Sequence, residues 1–80
     1  MQITIRLLAS YRRYLPEGHG DGASYRLDMP RGARVDEALA HLPIPDGDAY
    51  TFLVNGRHAV RDQALAEGDV LSVFPAVGGG

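Results

Sequence analysis

One amphipathic helix stands against five stretches that read as strands, and that imbalance constrains the fold of this 80-residue chain more than any other feature. In VDEALAHL the apolar residues Val35, Ala38, Leu39 and Leu42 fall at i, i+3, i+4 and i+7, which makes one stripe of a short helix. Asp36 and Glu37 sit in its first turn, where the positive end of the helix dipole favours them. Arg34 is a poor N-cap, and Pro43 ends the helix early. A helix this short is marginal alone and has to be held by packing its stripe on a sheet.

The strands supply that sheet. QITIRLL alternates, with Ile3, Ile5 and Leu7 on one face and Gln2, Thr4 and Arg6 on the other. SYRLDM alternates again through Tyr25, Leu27 and Met29, and pairs with the first strand as an antiparallel hairpin across a wide loop containing EGHGDG. Between them, ASYRRYLP reads as a single helical turn stopped at Pro16, because Leu15 before it is pushed out of the α region. YTFLV is a third strand, turned by Asn55-Gly56 into a short fourth at Arg57 to Val60. Asp62 to Glu67 reads as one helical turn before a tight turn at Gly68-Asp69, and VLSVF is the last strand. The order predicts an α+β, β-grasp (ubiquitin-like) domain: a mixed sheet of four to five strands, one main helix, and the final strand inserted centrally. A ferredoxin-like sandwich is the rival, but it needs two helices and only one is convincing.

Composition narrows function. At 80 residues the chain is one domain with a single core, and folding buries only roughly 60% of the surface the unfolded chain exposes. With no cysteine, disulfides, thiolate metal sites and cysteine nucleophiles are excluded. No stretch approaches the roughly 20 apolar residues of a membrane span, and no basic segment precedes an apolar one, so a cytoplasmic protein without a membrane partner is expected. The net charge of −2 gives no electrostatic case for nucleic acid. Residues 1–40 carry six Arg against five acids, and residues 41–80 two Arg against five. All eight basic residues are arginine, so no side-chain amine here can accept an acyl group.

Side-chain chemistry is sparse. His19, His41 and His58 lack any metal-ligand spacing. Asp46-Gly47-Asp48 resembles a scrap of a calcium loop without its closing glutamate, and reads as a turn. Ser10, Ser24 and Ser72 have neither a glycine elbow nor a nearby histidine. No carboxylate pair presents itself as an acid/base couple. What remains is the ending, FPAVGGG. Glycines are poor at holding a terminus, but lacking Cβ they pass through a narrow channel. A terminal carboxylate can be converted by ATP to an acyl-adenylate that a sulfide or thiol attacks. From Phe74 to Gly80 the extended reach is about 20 Å at roughly 3.3 Å per residue.

The stretches RLLASYRRYLP, Val35 to Leu42, FLVNGR, LAEGDVLSVFP and FPAVGGG together resemble the ubiquitin-like sulfur carriers that include the small subunit of molybdopterin synthase and the thiamine-pathway carrier (the MoaD/ThiS family). The resemblance spans nearly the whole chain. It implies a β-grasp domain over residues 1–77 and a flexible glycine tail over 78–80, with Gly79-Gly80 as the functional diglycine and Gly78 at a small-residue position. It implies that Gly80 is the reacting residue, adenylated with ATP by an adenylyltransferase of the ubiquitin-activating type and converted to a thiocarboxylate. The sulfur is then donated inside a partner such as the molybdopterin synthase large subunit, which supplies the catalytic residues; the chain itself is a carrier, with no bound cofactor or metal. Phe74, Pro75 and Val77 are the expected docking residues at the strand exit, with packing in the core as the other reading of Phe74; Arg6 and Arg57 read as ordinary solvated charges, with partner contact as the alternative. The molybdopterin-type subgroup fits best, although Ala76 stands where that ending has a second proline. Two other readings remain at this stage: a ubiquitin-like interaction module or protein modifier, and a carrier for thiamine or another sulfur-containing metabolite.

Overall fold

A computed structural model describes residues 1–15, 24–45 and 47–76. Strand β1 (Gln2–Leu7) is followed by a 3-10 helix (Ala9–Tyr14), β2 (Ser24–Asp28), helix α1 (Val35–Ala40), β3 (Tyr50–Val54), β4 (Arg57–His58) and β5 (Val70–Pro75). The five strands form one mixed sheet in the order β2-β1-β5-β3-β4. Only β1 and β5 run parallel, in the register Thr4↔Val70 to Leu7↔Val73; β1–β2, β3–β5 and β3–β4 are antiparallel. The last strand is central, as the order of elements predicts, and the molecule is a β-grasp domain.

Alternation decides which face is covered. Ile3, Ile5 and Leu7 of β1 and Leu71 and Val73 of β5 are buried on one face of the sheet. Val35, Ala38, Leu39 and Leu42 close over them as the helical stripe predicts. At roughly 1.5–3 kcal/mol for each fully buried Val, Leu or Ile, this packing outweighs anything the short helix gains alone.

The helix start compensates for Arg34 in another way. Glu37 reaches back to accept the Arg34 backbone N–H at 3.0 Å, half of a capping box. The N–H groups of Val35 and Asp36 donate to the carbonyls of Gln63 and Arg61 at 3.0 and 2.8 Å. At the other end, the N–H groups of His41 and Leu42 bond three residues back, to Ala38 and Leu39. That tightening stops the regular helix at Ala40, two residues short of its apolar stripe.

Two expectations need correction. Residues 62–67 hold no helical turn. Ala64 bridges antiparallel to Arg34, the Leu65 N–H donates to the Ala33 carbonyl at 2.9 Å, and the Leu65 side chain is buried. The carbonyls a helix would use internally are engaged by the start of α1. The fourth strand is shorter than Arg57 to Val60, ending at His58. The Asn55-Gly56 turn is as expected, with both residues at positive φ (52° and 79°), the twist a tight hairpin requires. The turn expected in ASYRRYLP is a six-residue 3-10 helix, and Leu15 leaves it in an extended conformation at φ −62° and ψ 138°.

Candidate functional site: the exit of the last strand

The chain leaves the sheet from the middle. β5 is held on both sides, by β1 as far as Leu7↔Val73 and by β3 as far as Tyr50↔Pro75. One further bond, from the Ala76 N–H to the Ala49 carbonyl at 3.2 Å, extends the ladder past Pro75. The Leu8 N–H donates to the Val73 carbonyl at 3.0 Å and brings the 3-10 helix alongside. From that helix the buried Tyr11 hydroxyl reaches the Asp48 carboxylate and the Ala49 carbonyl, each at 3.5 Å. Burial, and then the Asp48 charge, pushes the Tyr11 phenol above its ordinary value. Because Ala76 is bonded in the ladder, the length beyond it is Val77 to Gly80, about 13 Å at full extension, not the 20 Å counted from Phe74.

Phe74 and Pro75 lie at this exit, both half-buried. Phe74 pairs with Thr51 on the face opposite Leu71 and Val73, so it is not a core residue. Among the described residues no helix lies on that face. The face presents Val70, Ser72 and Phe74 of β5, Leu53 and Thr51 of β3, and Arg6 of β1, which sits opposite Ser72 in the register. Phe74 and Arg6 are therefore brought onto one surface. Arg57 is not: it pairs with Val54, whose side chain points into the core. Leu53 and Val70 were not singled out from sequence; the period-two alternation of VLSVF assigns Val70 to the Phe74 face, whereas Leu53 joins it through the register of β3 with β5. Val77, Gly78, Gly79 and Gly80, the other expected site residues, lie outside the described residues, as do His19 and Asp46.

The far end of β5 is fixed by a side-chain clip. Asn55 Nδ2 donates to Asp69 Oδ1 at 2.9 Å, while Asn55 Oδ1 accepts the Val70 N–H at 2.9 Å. Asp69 Oδ2 accepts the Ala66 N–H, also at 2.9 Å. The clip sets where β5 begins, and hence which face Phe74 occupies, since a one-residue slip would invert the strand. Among the described residues no group of three His, Asp or Glu side chains is placed to hold a metal ion, and no helix is long and apolar enough to cross a membrane.

The profile of the ThiS family matches residues 5–80, the strand exit and the closing glycines included. The chain belongs to the ThiS family. Solved structures agree with that membership. SAMP1 of Haloferax volcanii is 26% identical at a TM-score of 0.74, each chain covered in full. The HVO 2177 protein of the same organism is 29% identical at 0.74, over all of this chain and 87% of that one. A candidate molybdopterin converting factor, subunit 1, of Pyrococcus furiosus is 22% identical at 0.76, over 95% of this chain and 98% of that one, a likeness of fold. No curated protein matches the chain. ThiS-family proteins are ubiquitin-like sulfur carriers and modifiers, and membership implies dealings with an activating enzyme and with an acceptor of what the tail carries.

Proposed function

We propose that this chain is a sulfur carrier for molybdopterin biosynthesis and that Gly80 is its reacting residue. An adenylyltransferase of the ubiquitin-activating type joins the Gly80 carboxylate to the adenylyl group of ATP, releasing pyrophosphate. A sulfur nucleophile then attacks the carbonyl carbon, AMP leaves, and a thiocarboxylate remains. Within a partner resembling the molybdopterin synthase large subunit, the sulfur passes to a biosynthetic intermediate and the carboxylate is regenerated with water. The chain supplies the acyl group and the leash; the partners supply the catalytic side chains.

The observation that carries this reading is the join between β5 and the ending. The central strand is fixed on both sides as far as Val73 and on one side, by β3 and the Ala49 carbonyl, as far as Ala76, with one residue between it and the three glycines that the family profile includes. A rigid exit followed by about 13 Å of chain suits delivery of a terminal group into a partner's interior. Phe74 and Pro75 at the exit, with Leu53, Val70 and Arg6 beside them, form the docking face, an apolar centre with a charged edge. Val77, Gly78 and Gly79 fill the partner's channel.

A second reading has its own support. The likeness to SAMP1, a small archaeal modifier protein, favours joining Gly80 to a lysine of another protein. Intact-mass measurement after incubation with the adenylyltransferase, ATP and a sulfide source separates the two. The carrier reading expects one oxygen of the chain exchanged for sulfur at Gly80. The modifier reading expects an isopeptide adduct when target proteins are added.

A further inference from the structure

The fate of an activated Gly80 depends on which nucleophiles it can reach. The chain has no lysine, so its one primary amine is that of Met1. That amine is engaged in the sheet: it donates to the Met29 carbonyl at 2.7 Å, and the Met29 N–H donates back to the Met1 carbonyl at 2.8 Å. The parallel pairing of β1 with β5 then separates the two reactive groups. In the register Thr4↔Val70, Met1 lies level with Glu67, nine residues before Ala76 along the strand direction. Nine strand residues span about 30 Å, whereas the four residues beyond Ala76 span about 13 Å. Met1 and Ala76 lie toward opposite ends of the sheet, separated by more than twice the contour length of the four residues that follow Ala76.

We propose that the fold makes this chain a donor that cannot acylate itself: activated Gly80 is held out of reach of the amine of its own chain. The inference rests on Gly80 being the group that is activated. It reaches further than sulfur carriage, since it holds equally for a modifier of this kind, which could not close on itself head to tail. It gives the all-arginine basic set a consequence as well. Arginine keeps a positive charge on the surface but is a poor nucleophile at neutral pH, because its guanidinium is not deprotonated in proteins.

The test needs no activating enzyme, so its outcome is separate from that of the sulfur-loading assay. The full chain is prepared as a Gly80 thioester of a small alkylthiol and held at mildly alkaline pH, with products read by intact mass. If an amine attacks, its nitrogen bonds to the Gly80 carbonyl carbon, the thiolate leaves and the amine proton passes to solvent. The unaltered chain is expected to give the hydrolysed carboxylate and no cyclised chain, and a single adduct when Nα-acetyl-lysine is added. Ala49→Lys puts an amine on an exposed residue beside the tail exit and is expected to yield a cyclised chain lacking the thiol. Gln2→Lys puts the same amine on an exposed residue at the far end and is expected not to cyclise. Head-to-tail cyclisation of the unaltered chain would overturn the proposal. So would cyclisation of Gln2→Lys, or failure of Ala49→Lys to cyclise, since reach would then not be what limits the reaction.

Discussion

Reversing the clip between Asn55 and Asp69 tests whether side chains, rather than the strands alone, fix the start of β5. In the native pair an amide donates to a carboxylate at 2.9 Å, and the two remaining oxygens accept the Val70 and Ala66 N–H groups. Asn55→Asp leaves the oxygen facing Val70 but replaces the donor with a second carboxylate oxygen 2.9 Å from Asp69 Oδ1. Loss of one net hydrogen bond is about 0.5–1.5 kcal/mol, and like charges add to it, less at this exposed site than in a core. An expected loss of about 1–2 kcal/mol corresponds to a fall in Tm of roughly 4–16 °C for a domain of this size. Thermal and urea unfolding followed by circular dichroism measure it. Two facing carboxylates bind a shared proton more readily than either does in the unfolded chain. The deficit against the native protein is therefore largest at pH 7 and narrows as pH falls toward the ordinary carboxylate range near 4. The exchanged pair, Asn55→Asp with Asp69→Asn, rebuilds every bond with donor and acceptor swapped, and is expected to recover most of the loss. A double variant no more stable than Asn55→Asp alone would refute the reasoning.

Further expectations follow from the core, the docking face and the exit. Leu39→Ala empties a buried position of the helical stripe and should cost about 2–5 kcal/mol in urea unfolding, a large part of the stability of so small a domain. Phe74→Ala should change stability much less, because its ring lies half-buried on the face opposite the core, while weakening binding to the activating enzyme by about tenfold or more in calorimetry. Tyr11 is stabilising as the neutral phenol. Its folded pKa is raised above 10.0, so that contribution is intact below pH 10 and is lost as pH rises through the folded value. Tyr11→Phe should flatten the alkaline end of the stability profile.

What sequence could reveal followed from periodicity. Ile3, Ile5 and Leu7 are buried as their alternation requires, and the stripe from Val35 to Leu42 faces the sheet as its spacing requires. Asn55-Gly56 makes its turn because both residues accept positive φ. Periodicity says nothing about what a carbonyl bonds to across the fold. Residues 62–67 resemble a helical turn locally, but Arg61 and Gln63 give their carbonyls to the start of α1. The Asn55–Asp69 clip joins residues 14 apart through side chains and leaves no local pattern. At the site, Phe74 and Pro75 were legible from the ending and Val70 from the alternation of its strand, whereas Leu53 becomes visible only once β3 and β5 are paired. The separation of Met1 from the tail needed the parallel register of β1 and β5.

The most direct test of the central claim, that the working group of this molecule is its terminal carboxyl carried beyond a rigid strand exit, is the intact mass of the chain after incubation with an adenylyltransferase of the ubiquitin-activating type, ATP and a sulfide donor. The expected result is a thiocarboxylate on Gly80 of the unaltered chain and none on a chain lacking Gly79 and Gly80, whose unfolding curve stays unchanged. Sulfur transfer by the shortened chain, or its absence from the full chain with an adenylyltransferase active on another carrier, would contradict the claim.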